Sequence, residues 1–138
     1  MNPSSLMRRR FVLLTIALTL GCATAADMPV VSPGDSMRLA MTDAVRVEPP
    51  GIVVQFAAVV ADSRCPRDVT CVWAGDAEIA LRVSSDDGGA ADLRLHTNVE
   101  PRSATFEGVR FTLAELEPLP AAGSTPRQAE YVATVEIE

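Results

Sequence analysis

The chain has 138 residues, with twelve basic side chains against eighteen acidic ones and a formal charge of −6. Every basic residue is Arg, and from residue 26 onward nine Arg face all eighteen acids, a formal −9. Nucleic acid or an anionic lipid surface is thereby excluded as the main partner, since binding a polyanion needs a basic patch that releases counterions; the length suits one domain with its own core.

Residues 1–25 read as a signal peptide. Arg8, Arg9 and Arg10 precede a short apolar run from Phe11 to Leu20, the charged start and hydrophobic stretch of a secretory leader. A helix over that run is about 15 Å long, half the ~30 Å of a bilayer's hydrocarbon core. Two cleavage readings compete. Thr19-Leu20-Gly21-Cys22 resembles a bacterial lipobox, with Thr19 where Leu is preferred, and makes Cys22 the acylated mature N-terminus. Ala23-Thr24-Ala25 is an Ala-x-Ala site for ordinary signal cleavage. The lipoprotein reading is favoured, and Ala23 in place of Asp after the acylated Cys favours the outer membrane. Export itself follows from either, with a free periplasmic or secreted protein as the alternative. Residues 26–35, bearing Pro29, Pro33 and Gly34, are expected to form a flexible tether.

Residues 36–138 read as a single β-sandwich domain. Apolar residues recur with period two at Ile79/Leu81/Val83, Leu93/Leu95, Val109/Phe111/Leu113 and Tyr131/Ala133/Val135/Ile137, the pattern of strands with one dry face. Ile52 to Val60 is apolar on both sides and is expected to be a central, doubly covered strand. Turn residues separate these runs, with Asp87-Gly88 as a hairpin signal. Leu113 to Glu117 has the spacing of a helical turn, stopped by Pro118. The expected fold is an all-β antiparallel sandwich of about seven strands, immunoglobulin-like in kind.

The stretch between residues 59 and 83 holds the only Trp, Trp73, and the last two of three Cys. With Cys22 lipidated or discarded, Cys65 and Cys71 are left as a pair that forms a disulfide in an oxidising compartment. Closing so small a ring is worth roughly 2.4 kcal/mol on loop entropy alone, so the bond holds one loop in one shape rather than the whole fold. Two readings of that loop stand side by side. In the first, Arg64, Pro66, Arg67 and Asp68 project from a rigid tip and meet an acidic partner with little ordering entropy lost. In the second the loop is only structural: Trp73 packs over the bridge, and Asp62 pairs with Arg64 or caps the turn. Asp62, Trp73, Gly75 and Tyr131 are expected to be structural residues, with Tyr131 anchoring a corner through its hydroxyl.

The block Val60-x-Asp62-Ser63-Arg64-Cys65-Pro66-x-x-Val69-x-Cys71-Val72-Trp73-Ala74-Gly75-x-Ala77 resembles a group of uncharacterised small exported bacterial proteins and lipoproteins. Leu93-x-Leu95-x-Thr97, the Leu116-x-Pro118-Leu119-Pro120 segment and Tyr131-x-Ala133-x-Val135 extend the likeness over residues 33–138. The resemblance implies an exported β-rich domain. It supplies no activity and no catalytic residues.

Chemistry is sparse. His96 is the one histidine and falls on the wet face of a strand, with no nucleophile indicated beside it. Cys65, Cys71 and His96 fall short of a zinc set, Met37 and Met41 suit packing better than copper, and Asp86 to Gly89 lacks the closing Glu of a calcium loop. No catalytic residue, metal or cofactor is expected. The favoured function is a non-enzymatic cell-envelope protein, lipid-anchored at the membrane and acting as a binding or structural module toward an envelope protein. The alternative is a periplasmic inhibitor or modulator that inserts the 62–76 loop into a partner.

Overall fold

The period-two runs become two sheets. The computed structural model describes residues 27–138; the leader expected over residues 1–25, its Cys22, and residue 26 lie outside the described residues. The strands are β1 (Val30–Val31), β2 (Ser36–Ala40), β3 (Ala44–Val47), β4 (Ile52–Asp62), β5 (Ala77–Ser85), β6 (Ala90–His96), β7 (Ser103–Phe106), β8 (Val109–Glu117) and β9 (Val132–Ile137), with a single 3-10 turn at Gln128–Glu130. One sheet runs β1-β3-β4-β5-β6 and the other β2-β9-β8-β7. All pairings are antiparallel except the short β1–β3 contact. The expected all-β sandwich is the fold observed. Its connectivity is two successive meanders, with β2 crossing over to pair with the last strand. That order differs from the immunoglobulin one, in which early and late strands interleave within each sheet.

The dry faces meet between the sheets. Val47, Ile52, Val54, Phe56, Ile79, Leu81, Val83 and Leu95 from one side pack against Leu39, Phe111, Leu113, Ala133, Val135 and Ile137 from the other, all essentially inaccessible to water. Burial of each large apolar side chain contributes about 1.5–3 kcal/mol before entropy is set against it. The Asp87-Gly88 signal lands in the β5–β6 connection, where Gly88 takes φ +90° and its N–H bonds the Ser85 carbonyl at 3.0 Å.

Two sequence expectations are corrected by β-bulges. In β4 the inward face starts on Ile52, Val54 and Phe56, moves to Val59, then returns to even numbers at Asp62. Register shifts at Phe56/Ala58 and Val59/Ala61 produce both changes of phase. The strand is therefore apolar at odd and even positions because its buried face switches, not because both faces are covered. In β8 the shift at Leu113/Glu115 leaves Ala114 as the extra residue, so Leu113 and Leu116 both point inward. That three-residue interval reads as helical in the sequence but is a bulged strand. The bulges end by aiming Asp62 and the Leu116 carbonyl at one point between the sheets.

The tether is shorter than expected. Within 26–35, Val30 and Val31 lie beside β3, with Arg46 N–H donating to the Pro29 carbonyl and Glu48 N–H to that of Val31, each at 2.8 Å. Gly34 N–H donates to the Ile137 carbonyl at 2.7 Å, so this segment touches both sheets. Pro29 and Pro33 take places where no N–H is needed, as edge prolines do.

If Ala114 is only the extra residue of a bulge, deleting it leaves Leu113 and Leu116 on the same face. The deletion is expected to cost less than about 3 kcal/mol by urea unfolding, whereas deleting Thr112 turns Leu113 toward water and costs about 3–5 kcal/mol or abolishes folding. A larger loss from the Ala114 deletion than from the Thr112 deletion would contradict this phase assignment.

Candidate functional site

The loop at residues 63–76 grows directly out of the β4–β5 hairpin. Past the last ladder pair, Asp62 with Ala77, the two arms stay together: Ser63 N–H donates to the Asp76 carbonyl at 2.7 Å and Cys65 N–H to that of Ala74 at 2.8 Å. Gly75 permits this. Its φ is +69°, and a Cβ there would overlap the Ser63 carbonyl oxygen, so only Gly fits without moving the other arm. Beyond these arms the Cys65–Cys71 disulfide, with Cα atoms 5.9 Å apart, closes the tip. The tip is also held to the segment after β8, with Arg67 N–H donating to the Pro120 carbonyl at 3.0 Å and Ala122 N–H to the Asp68 carboxylate at 2.8 Å.

Beneath the loop lies a buried ionic cluster. Arg64 does not project; its side chain is 5% exposed and that of Asp62 is 1% exposed. Arg64 Nε and Nη2 donate to the two Asp62 carboxylate oxygens at 2.8 and 2.7 Å, a bidentate fork. Nη1 donates to the Leu116 carbonyl, and Nη2 also to that of Pro118 at 2.8 Å. Tyr131 completes the cluster by donating its hydroxyl to Asp62 Oδ2 at 2.9 Å, the hydroxyl anchor expected of it. Asp62 belongs to one sheet, Leu116 to the other, and Tyr131 stands at the entry to β9, so the cluster ties the sheets at the end from which the loop emerges. Burial pushes the Asp62 carboxyl up, but the Arg64 guanidinium and the Tyr131 hydroxyl outweigh it, and the group titrates below the ordinary Asp range. Burial and the neighbouring Asp62 carboxylate push Tyr131 up to about 12. Among the described residues no buried side-chain nitrogen or oxygen is left without a partner.

The same inward turn of Arg64 leaves a different set of residues on the surface. Trp73 is 82% exposed and Val72 is 93% exposed, with Val69 and Leu119 half-exposed. Trp73 is therefore not packed over the bridge, because the inward positions at the loop base are taken by Asp62 and Arg64. Of the four residues proposed from sequence to form a binding tip, Arg67 is exposed, Pro66 is half-buried, Asp68 uses its carboxylate on Ala122, and Arg64 is buried. Two contributors carry no sequence signal. Gln128, at the 3-10 turn, donates its side-chain amide to the Val59 carbonyl at 2.7 Å and accepts from the Val59 N–H at 3.0 Å, standing in for a strand where β3 has ended. Asn98 donates its side-chain amide to the Gly75 carbonyl at 2.7 Å.

His96 faces Asp76, with Nδ1 2.6 Å from the carboxylate. Asp76 also accepts from the Thr97 hydroxyl at 3.1 Å and the Asn98 N–H at 2.9 Å. Burial raises the Asp76 carboxyl, while the Asn98 N–H, His96 and Thr97 together lower it further, leaving it below its usual range. The pair braces the loop's second arm against β6, and no hydroxyl or thiol among the described residues is hydrogen-bonded to His96. Among the described residues no three His, Cys, Asp or Glu side chains gather as a metal-binding group, and no helix is long and apolar enough to cross a membrane. The chain matches no protein-family model, no curated protein and no solved structure.

Because Tyr131 is the only tyrosine, its ionisation is read directly by absorbance near 295 nm. The midpoint is expected at about 12 in the folded protein and near the ordinary value of about 10 in urea. A folded pKa raised above the unfolded one means that this stabilisation is complete below about pH 10 and is lost as pH rises through the folded value. Asp62 and Asp76 are shifted down, so their stabilisation is present above about pH 4 and lost as pH falls through their folded values. A folded-state tyrosine midpoint near 10 would overturn the buried placement of the hydroxyl.

Proposed function

We propose that the protein is a non-enzymatic cell-envelope binding module that docks a partner protein through the tip of the 63–76 loop. The observation that carries this reading is the exposure of Val72 and Trp73 on a loop whose base is fixed. The tip's disulfide, paired arms, Gly75 approach and Arg64 cluster each remove freedom from a segment that presents an unpacked indole to solvent. Tryptophan is among the residues that most often dominate a protein interface, and a preorganised loop loses little entropy on docking. An apolar tip on a chain of high negative charge also suits a protein surface better than a polyanion.

The setting proposed for this activity is the envelope, with the domain held to the outer membrane through lipid on Cys22 and facing the periplasm, or released as a free periplasmic protein. An oxidising compartment supports it, since the 65–71 bond persists there. Insertion of the loop into a partner's cleft, as an inhibitor or modulator would do, is a second reading favoured by the protrusion of Val72, which is 93% exposed. Both readings make the same residues indispensable.

A photo-crosslinking amino acid at the exposed Thr70 is expected to capture one discrete envelope protein in living cells. Trp73→Ala in that background is expected to remove the adduct while changing unfolding free energy by no more than about 0.5 kcal/mol, as for other exposed positions. An undiminished adduct in Trp73→Ala would refute docking through the tip.

A further inference from the structure

Six of the nine arginines from Arg38 onward are ion-paired: Arg38, Arg46, Arg64, Arg82, Arg94 and Arg127. Among the described residues Arg67, Arg102 and Arg110 have no carboxylate within ion-pair distance. In a chain so rich in acids, a guanidinium without an acid is the unusual case. Two of these three, Arg67 from the loop and Arg102 from the start of the β7 arm, line one groove of about 500 Å³, within the range of ligand-binding clefts. Its wall includes Asn98 and Leu119, and its base runs along the 114–118 segment whose carbonyls bind Arg64.

The donors and acceptors around the groove define what it can hold. Arg67 and Arg102 offer exposed planar guanidinium forks, which bind carboxylates in bidentate fashion. Asn98 has its main-chain N–H and side-chain amide engaged by Asp76 and Gly75, and among the described residues its Oδ1 has no donor, so it is open to a ligand N–H. Leu119, 47% exposed, supplies an apolar contact. Glu117 is already paired with Arg38, leaving Glu115 as the acid on the wall without an ion-pair partner among the described residues. A polyanion would meet that residue and the chain's general negative field; a short segment with one or two carboxylates would not have to.

From this we infer that the groove binds an extended acidic peptide segment, its carboxylates on Arg67 and Arg102 and a backbone N–H on Asn98. The inference rests on the reading of the loop as a docking face and names the chemistry of the part of the partner that lies beside the tip. The loop's ties to Pro120 and Ala122 fix the Arg67 main chain beside the groove that Arg102 also lines.

The probe is acetyl-Glu-Leu-Glu-amide, titrated into isotope-labelled domain and followed by NMR. Millimolar binding is expected, shifting the resonances of Asn98, Arg102 and Leu119. Arg67→Gln and Arg102→Gln are each expected to weaken it about tenfold, as for loss of a charge-assisted contact. Arg110→Gln, which removes the unpaired arginine outside the groove, is expected to leave it unchanged. All three side chains are exposed, so the variants fold and their remaining resonances stay in place. The inference is overturned if the peptide produces no shifts at 10 mM (a ceiling about tenfold above a millimolar Kd), if acetyl-Gln-Leu-Gln-amide or inorganic phosphate shifts the same resonances equally, or if neither groove variant weakens binding. Trp73→Ala is expected to leave this titration intact while abolishing capture of the partner, so failure of the groove and failure of the docking tip give different results.

Discussion

A guanidinium group taken out of water and held by one carboxylate and two main-chain carbonyls fixes where the two sheets can sit relative to each other. Asp62 and Arg64 at the end of β4, Leu116 in β8 and Tyr131 at the entry to β9 come from three segments, yet their polar atoms converge within hydrogen-bond reach. Desolvating an Arg and an Asp is costly, and an apolar plug of the same volume would often be as stable. What an apolar plug lacks is direction. The bidentate fork sets the orientation of Arg64, and the carbonyls of Leu116 and Pro118 set its depth, so the hairpin leaves the sandwich in one direction. The bulge at Val59/Ala61 serves the same geometry by returning Asp62 to the inner face.

That geometry has a consequence at the surface. With the inward positions at the base of the loop occupied by charge, Trp73 has no core to join and stands at the tip. Rigidity and exposure thus share one cause, and both belong to the loop rather than to a sheet face. The Asp76–His96 pair holds the second arm against β6 in the same way that Asp62–Arg64 holds the first. Gln128 closes the edge of β4 that β3 leaves open, so neighbouring main-chain groups are not offered to a stray strand.

The alternation of Ile79, Leu81 and Val83, and of Val109, Phe111 and Leu113, made the strands and the two-layer arrangement legible, because a strand's period is a local property. The bulges were not legible. Ala114 looks like any small residue, and its extra place in β8 depends on where β9 pairs, so Leu113 and Leu116 imitate a helical interval. Of the two readings of Arg64, pairing with Asp62 is the one observed; its burial was not legible, for a related reason. Arg is ordinarily exposed, and only the three-dimensional meeting of Asp62 with two carbonyls from β8 and its exit makes an interior place for it. Trp73 was expected to pack over the disulfide on the opposite presumption, that a large indole is mostly buried. The Cys65–Cys71 pairing was within reach, since parity and spacing left one choice; the groove was not, because Arg67 and Arg102 are far apart in the chain and come to line one groove only through the fold.

A double-mutant cycle in urea bears most directly on the role of the buried ion pair. Arg64→Met and Asp62→Leu are each expected to lower unfolding free energy by about 3–5 kcal/mol, because each leaves a partner's charge stranded. The double variant is expected to lose clearly less than the sum, with a coupling of at least about 2 kcal/mol. Strict additivity, or an Arg64→Met protein within about 1 kcal/mol of wild type, a size typical of a solvent-exposed ion pair, would show that the pair does not hold the sheets together.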